Sequence, residues 1–483
     1  MKSLKELFQN IEYQKWIGGK EAEINSLEYD SRKVTPQSCF FAILGTQSDG
    51  HAFIPAAIEQ GAVAIVCQRL PEEAILNKEN VTYIIVEDSQ KTLGEAAAAL
   101  YNNPSRELQL IGVTGTNGKT TTATLLYDLF RSLGYKVGLI STVSYCIDSE
   151  KYNSTHTTPD AVRLHSMIRE MVDAGCDYCF MEVSSHAIVQ ERIAGLHFAG
   201  ALFSNITHDH LDYHHTFAEY IKAKKGLFDS LPKSAFAVTN VDDRNGEIML
   251  QNCAAQKYSY SLRSMADFKV KIIEMHLDSM LLKLDGEEIW VGSTGRFNAY
   301  NILAIYSIAR LLGVSQAETL VAISSLKSVC GRFETMRLRN GATAIVDYAH
   351  TPDALESVIE TIKEIITPEQ QLIIVCGCGG NRDRTKRPEM ARIAALHASL
   401  SIFTSDNPRN EDPQQILNEM LAGVTDTSAR YLSILDRREA IRTAVLFSKP
   451  TDVILVAGKG HENYQIIGDT KIHFDDHEVL REV

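Results

Sequence analysis

Leu108-Gln-Leu-Ile-Gly-Val-Thr-Gly-Thr-Asn-Gly-Lys-Thr-Thr121 is the stretch on which the reading of this chain turns. The apolar run 108–113 predicts a strand, and the glycine-containing turn after it opens a helix beginning near Lys119. Strand, loop and helix in that order form a phosphate-binding unit. Glycines let backbone amides point inward at phosphate oxygens, Lys119 supplies a point charge near the β- and γ-phosphates, and the Thr120 hydroxyl can ligate Mg²⁺. Gly115, Thr116, Asn117, Gly118, Lys119, Thr120 and Thr121 are thus the candidate ATP-phosphate residues. The general pattern has glycine five residues before the Gly-Lys pair, where this chain has Val113, so the loop is a variant. A glycine-rich helix start without a ligand is the alternative.

The loop lies well inside a chain of 483 residues, more than the ~250 to 300 that one core supports. Three domains are expected, at 1–105, 106–335 and 336–483, all α/β. Before the loop, strand-like runs at 39–44, 62–67 and 81–86 alternate with helical patterns, and Asn103-Pro104-Ser105 ends that unit. After it, strands such as 200–205 and 236–240 alternate with helices, which favours a mostly parallel central sheet. The stretch 257–293 reads as antiparallel hairpins. A third α/β pattern, with strands at 344–347, 371–375, 400–404 and 452–456, resembles a dinucleotide-binding-like domain without that fold's glycine fingerprint.

Composition narrows the partners. Hydrophobic residues at 45% and charged residues at 23% are those of a chain folded throughout. A formal charge of -13 with no basic run argues against nucleic acid and anionic membrane surfaces. The start MKSLKELFQNIEYQKW has no apolar signal core, and no apolar run reaches the ~18 to 20 residues that span a bilayer, so a cytoplasmic protein is expected. The nine cysteines, an odd number set in strand-like runs, read as free thiols.

Further chemistry follows the loop. Phe180-Met-Glu-Val-Ser-Ser-His186 reads as a strand ending in Glu182, where a carboxylate can hold a metal beside a nucleotide. Thr207-His-Asp-His-Leu-Asp-Tyr-His-His215 is dense in histidine and aspartate. A zinc hydrolase could be built from it, but the upstream phosphate loop makes a Mg²⁺-nucleotide complex the simpler account. Lys222, Lys224 and Lys225, taken alone, form a solvated helix face.

TGTNGKTT, followed in order by these segments and by Gly-Arg-Phe-Asn-Ala-Tyr-Asn301, Gly331-Arg-Phe-Glu334 and Asp347-Tyr-Ala-His350, resembles the Mur ligase and folylpolyglutamate synthase superfamily. The match to the Mur ligase family covers almost the whole chain. That resemblance implies Mg²⁺ held by Thr120, Glu182 and His210, and by Lys224 as a carbamate. It implies ATP contacts from Asn298, Asn301, Arg332, Asp347 and His350, with Lys119, Lys224 and Arg332 catalytic. In the first domain Ser31, Thr46, Gln47 and Ser48 would face a UDP-muramoyl group. Thr157, Thr158, Ser184, Gln190 and Arg192 would hold its dipeptide. In the last domain Asp406-Asn407-Pro408-Arg409, with Arg382, Gly458 and Glu462, resembles the pocket that selects meso-diaminopimelate, whose extra carboxylate an arginine can read. Two departures stand out: His156 precedes Thr-Thr-Pro where relatives often have asparagine, and several arginines follow Gly380.

The implied activity is an ATP-dependent ligation that adds meso-diaminopimelate to UDP-N-acetylmuramoyl-L-alanyl-D-glutamate through an acyl phosphate, in peptidoglycan precursor synthesis. All partners would be small molecules, and a monomer is expected. A lysine-adding or folylpolyglutamate-type ligase is the near alternative; a nucleotide switch and the zinc hydrolase are the others.

Overall fold

The computed structural model describes residues 1–45, 48–70, 81–154, 157–207, 209 and 211–483. Strand Gln109–Thr114 sits in the middle of an eleven-stranded sheet and is buried from Leu110 onward. Such unbroken burial, without alternation, is what helices on both faces of a parallel sheet produce. Val137–Ile140, Tyr178–Glu182, Gln109–Thr114, Gly200–Phe203, Phe236–Asn240 and Gln256–Ser261 run parallel in that order. Helices Lys119–Ser132 and Arg296–Leu311 pack one face, burying Leu126, Phe130, Ile302 and Ile305 against Ile111 and Val113. Ala161–Asp173 and Phe217–Asp229 pack the other through Met167, Ile168, Leu227 and Phe228.

The antiparallel reading of 257–293 needs correction. From Phe268–Met275 through Met280–Leu284 to Glu287–Val291 the strands do form an antiparallel meander. Gln256–Ser261 instead extends the parallel sheet beside Phe236–Asn240. Its exposed start, Gln256 and Lys257, imitates a surface hairpin. Buried Tyr260, whose hydroxyl donates to the Phe203 carbonyl at 3.2 Å, ties it to the core.

The first sheet orders Lys15–Ile17, Thr82–Ile85, Ala64–Cys67, Ser38–Phe41 and Ser26–Glu28, parallel except for the first. Helix Ser89–Leu100 leaves it to pack on Ala161–Asp173 of the central layer. At that junction a Cβ on Gly94 would lie 2.6 Å from the Ala194 carbonyl oxygen, and one on Gly195 would lie 2.7 Å from the Gly94 oxygen. The two units therefore meet backbone to backbone.

The last sheet orders Glu334–Arg337, Thr343–Asp347, Val453–Ala457, Leu372–Cys378, Leu400–Ser405 and Tyr431–Ser433, again parallel except for the first. Candidate residues follow the carboxyl ends of strands in both large sheets, the usual place for ligands in open α/β folds. All nine cysteines are free thiols and eight are buried. Among the described residues no helix is long and apolar enough to cross a membrane.

Arg437 and His477 anchor the start of the terminal helix Asp476–Glu482 through ion pairs. Arg437 makes a fully buried bidentate pair with Asp476, both bonds at 2.8 Å. His477 bridges Glu334 at 2.9 Å and Asp475 at 3.0 Å. Burial by itself would lower the imidazole, but the hydrogen bond it donates to Glu334, then that to Asp475, outweigh it and raise His477 above its ordinary value. The same bond holds Glu334 down at about 2. Stabilisation from His477 is complete below the unfolded histidine value of ~6.5 and is lost as pH rises through the raised folded value. Stabilisation from Glu334 is present above the unfolded carboxyl value of ~4.3 and is lost as pH falls through about 2. The gap in Tm between wild type and His477→Gln should therefore be wide near pH ~6 and narrow toward pH ~9. A gap that stays constant across that range would show that the bridge carries no charge.

Candidate active site

The phosphate loop is pinned from behind by the end of Gly200–Phe203. The Thr116 amide donates to the Asn205 carbonyl at 2.8 Å, and the Asn117 amide donates to Asn205 Oδ1 at 2.9 Å. Ser204 Oγ donates to the Asn117 carbonyl at 2.6 Å. A Cβ at Gly115 would fall 1.9 Å from Ser204 Oγ, so only glycine allows this approach. Gly118, at φ 86°, starts helix Lys119–Ser132 in a left-handed conformation, and a Cβ there would meet Asn301 Oδ1 at 2.6 Å.

In front of the loop lies a cavity of about 680 Å³. Lys119 Nζ donates to the carbonyls of Gly115 (2.9 Å) and Thr116 (2.8 Å). Lys224 Nζ donates to the same Gly115 oxygen at 2.6 Å and lies 4.6 Å from the centre of the Tyr220 ring. Burial pushes the Lys119 amine below its ordinary value despite the pull of Glu182 and Asp209. Burial, with the Lys119 charge added, pushes Lys224 well below.

The solvated-face reading of the lysines is overturned for Lys224. It is 1% exposed, whereas Lys222 is exposed and Lys225 pairs with Asp229. The signal was helical: Tyr220, Lys224 and Leu227 share the i, i+4, i+7 buried stripe of Phe217–Asp229.

Glu182 is fully buried at its strand end, where it accepts from the Thr142 amide (2.7 Å) and hydroxyl (3.2 Å). Asp209 also lines the cavity, a residue not singled out from sequence. His210, Thr46 and Gln47, together with His156, lie outside the described residues. Asn301 lines the cavity and donates to Asn298 Oδ1 at 3.1 Å; Asn298 stands behind it, donating to the Thr294 carbonyl at 2.9 Å.

The last domain closes the opposite wall. Arg332 Nη2 donates to Thr120 Oγ1 at 3.1 Å, its guanidinium lies 4.5 Å from the Tyr348 ring centre, and its buried Nε has no hydrogen-bond partner among the described residues. Asp347 accepts the Phe333 and Ala349 amides, each at 2.7 Å, which ties the residue after Arg332 to the end of strand Thr343–Asp347. Burial raises its carboxyl against those bonds. His350 is pushed down to about 4 by burial and by the neighbouring Lys386, whose ammonium donates to the His350 carbonyl at 2.9 Å. Asn117 Nδ2 reaches Asp353 at 3.1 Å across the cleft.

Next to Glu182, Thr158 Oγ1 donates to the Glu182 carbonyl (2.9 Å) and Thr157 Oγ1 accepts from Thr142 (3.0 Å). Ser184 caps helix Ser185–Val189. Arg192 donates to Gln190 Oε1 and, at 2.8 Å, to the Thr158 carbonyl. Tyr29, two residues before Ser31, feels the charges of Asp160 and Arg192, so the first domain faces this group. Ser48 is exposed.

A second polar group gathers after the strands of the last sheet. Arg409, with φ 52°, donates to the Gly380 carbonyl at 2.8 Å; Asn407 Nδ2 donates to Glu462 at 2.8 Å. Burial, then the charge of Arg382, lowers Arg409, so the two guanidiniums are neighbours. Arg384 is committed to Glu419, and buried Arg387 to Glu411 and Glu419. Arg382, bonded to its neighbour's carbonyl at Asn381, is thus the arginine of that loop set toward Arg409. Pro408 and Gly458 shape the group: a Cβ on Gly380 would lie 1.9 Å from the Pro408 oxygen, and one on Gly458 would lie 2.8 Å from Asp406.

Three family models match the chain: "Mur ligase family, catalytic domain" over residues 23–101, "Mur ligase middle domain" over 113–309, and "Mur ligase, glutamate ligase domain" over 331–460. The UDP-N-acetylmuramoyl-L-alanyl-D-glutamate--2,6-diaminopimelate ligase of Bacteroides fragilis is 53% identical over 99% of both chains. The ligase of Clostridium acetobutylicum with the same name and the number 1 is 40% identical, over 99% of this chain and 98% of that one. A solved structure of a UDP-N-acetylmuramoyl-L-alanyl-D-glutamate--2,6-diaminopimelate ligase superposes with TM-score 0.70 at 32% identity, covering 99% of this chain and 98% of its own. A MurF ligase from Thermotoga maritima in complex with ADP shares the fold, with TM-score 0.61 at 20% identity over 90% and 94% of the two chains.

The Gly118 geometry gives a test. Gly134 is also left-handed, at φ 91°, but nothing lies within 4 Å of a Cβ there. Alanine at either position carries the left-handed cost of ~1 to 2 kcal/mol. Only Gly118→Ala also displaces Asn301. Calorimetric titration with Mg²⁺-ATP should show affinity lost on the order of tenfold or more for Gly118→Ala and unchanged for Gly134→Ala. Equal affinities would take the Asn301 contact out of the nucleotide site.

Proposed function

This chain belongs to the Mur ligase family, and on that premise we propose that it adds meso-diaminopimelate to UDP-N-acetylmuramoyl-L-alanyl-D-glutamate at the expense of ATP, in peptidoglycan synthesis. The observation that carries the choice within the family is Arg409 set beside Asn407 and Glu462, with Arg382 next to Arg409. A carboxylate and an ammonium at the far end of diaminopimelate match those groups, and lysine would leave the arginines without a partner. The relatives named above carry the same activity in their names.

Residues 1–105 would hold the UDP-muramoyl end through Ser31 and the 46–48 loop, 106–335 the ATP and 336–483 the amine. The dipeptide would run along Thr157, Thr158, Ser184, Gln190 and Arg192 toward the phosphate loop. There the terminal carboxylate of its D-glutamate attacks the γ-phosphorus, the bond to the ADP oxygen breaks, and an acyl phosphate forms. The diaminopimelate amine then attacks the acyl carbon, phosphate leaves and the nitrogen loses a proton. Lys119 and Arg332 are placed to neutralise charge on the transferring group. Asn301, with Asn298 behind it, lines the base side, and Asp347 and His350 form the wall contributed by the last domain.

Oxygen donors at Thr120 and Glu182 suit a hard cation, and Mg²⁺ would be held there together with His210. The ion supplies charge neutralisation to the phosphates. Lys224 is the informative residue. A second ammonium beside Lys119 is electrostatically unfavourable, and the neutral form of a buried amine, which burial favours, can add CO₂, releasing a proton to leave an anionic carbamate. That conversion turns a repulsive neighbour into a ligand.

Two measurements test this reading. Lys224→Ala should lose most ligation and regain part of it when formate or acetate is added, because a small carboxylate replaces the carbamate. Undiminished activity in the variant would remove Lys224 from the site. Arg409→Ala strips charge-assisted bonds worth about 1.5 to 3 kcal/mol each from diaminopimelate alone. Its kcat/KM should fall on the order of 10- to 100-fold for diaminopimelate while that for lysine holds or rises. Phosphate release that needs both the UDP-dipeptide and the amino acid separates a ligase from a switch or hydrolase, and equal losses for the two amino acids would defeat the assignment.

A further inference from the structure

Resting on that reading of the amine pocket, we infer that Lys459 is a positioning residue that sets the pocket's selectivity, by orienting Asn407 and by giving the site its excess positive charge. Lys459 is fully buried. Its ammonium lies 3.0 Å from Asn407 Oδ1, 3.4 Å from Glu462 Oε2 and 3.5 Å from Asp406 Oδ1. Asn407 Oδ1 also accepts the Ile466 backbone amide at 3.0 Å. A backbone N–H can only donate, so the carboxamide oxygen must face Ile466 and Lys459, and Nδ2 must face Glu462. Lys459 supplies the second of the two donors that hold this orientation.

The lysine has little room to move. Gly458 before it, at φ 115°, passes so close to Asp406 that a Cβ would lie 2.8 Å from its carboxylate. Gly460 after it would put a Cβ 2.6 Å from the Gly331 oxygen and 2.8 Å from the Tyr348 Cβ. The backbone is thus packed tightly on both sides of the side chain.

Charge gives the second part of the argument. Lys459, Arg409 and Arg382 are positive; Asp406 and Glu462 are negative. The group carries one net positive charge. A distal end bearing both a carboxylate and an ammonium is neutral, whereas the distal end of lysine is a cation. The excess charge therefore penalises the cationic ligand relative to the neutral one. Without Lys459 the group would be balanced, that penalty would vanish, and Asn407 would lose one of its two orienting donors.

The test uses the full chain with ATP, the UDP-dipeptide and either diaminopimelate or L-lysine, comparing Lys459→Met, Lys459→Gln and Lys459→Arg with wild type by phosphate release. Thermal unfolding identifies the variants that fold. In the two neutral variants the ratio of kcat/KM for diaminopimelate to that for lysine should drop on the order of tenfold or more, with the KM for ATP unchanged. Lys459→Arg, which keeps the charge, should restore most of the ratio. Equal loss for both amino acids in whichever neutral variant folds, or a ratio that stays low in Lys459→Arg, overturns the inference. The pocket reading fails separately, through a wild type that does not prefer diaminopimelate.

Discussion

Two lysines share one carbonyl oxygen. Lys119 and Lys224 both donate to Gly115, each held below its ordinary value by burial, beside a loop whose Thr116 and Asn117 amides are already taken up by Asn205. Such an arrangement is costly on its own, because buried charge is stable only when paired. On the proposed reading it is relieved by anions: the phosphates of a nucleotide, the Glu182 carboxylate, or a carbamate built on Lys224 itself. The rest of the architecture follows from delivering those anions to one point. Parallel strands bring Thr114, Glu182 and Phe203 to the same edge, and Ser204 and Asn205 then clamp the loop.

The last domain meets that edge with the carboxyl ends of its own strands. Its linker is tied down at one point, since Asp347 takes the amide of Phe333, next to the arginine that reaches Thr120. The loop Gly458–Glu462 presses on Gly331 with one side and forms the second pocket with the other. The second polar group and the wall of the cavity are in this way parts of a single packed segment.

Much of this was legible in the chain itself. The phosphate loop was plain because glycine, lysine and threonine have to stand at fixed offsets after a strand, and the α/β class followed from alternating strand and helix patterns. What escaped notice did so for physical reasons. Gln256–Ser261 hides its one core tyrosine behind an exposed entry, so local polarity misstates its partner. Lys224 is a charged residue on a buried stripe, and a rule that puts lysine in water misplaces it until its helical register with Tyr220 is weighed. Asp209 and Lys459 belong to segments that were quoted for other residues; their burial and contacts depend on distant strands, which no local pattern reveals. Asn298 is close in sequence to the cavity yet stands behind Asn301, because three residues along a helix is nearly a full turn.

The backbone contact between Gly94 and the Ala194–Gly195 turn has a metric consequence. With only the alanine methyls of Ala98 and Ala194 beside that backbone contact, the first and central domains have little room to slide there, and on the proposed reading the separation between Ser31 and the phosphate loop is set at this turn. An acceptor anchored by its nucleotide end is then measured against a fixed gauge. A peptide arm one residue too short stops before Lys119, and one too long carries its carboxylate past it. In a ligase read this way, the order in which residues join a growing peptide is enforced by distance, independently of any pocket that recognises a side chain.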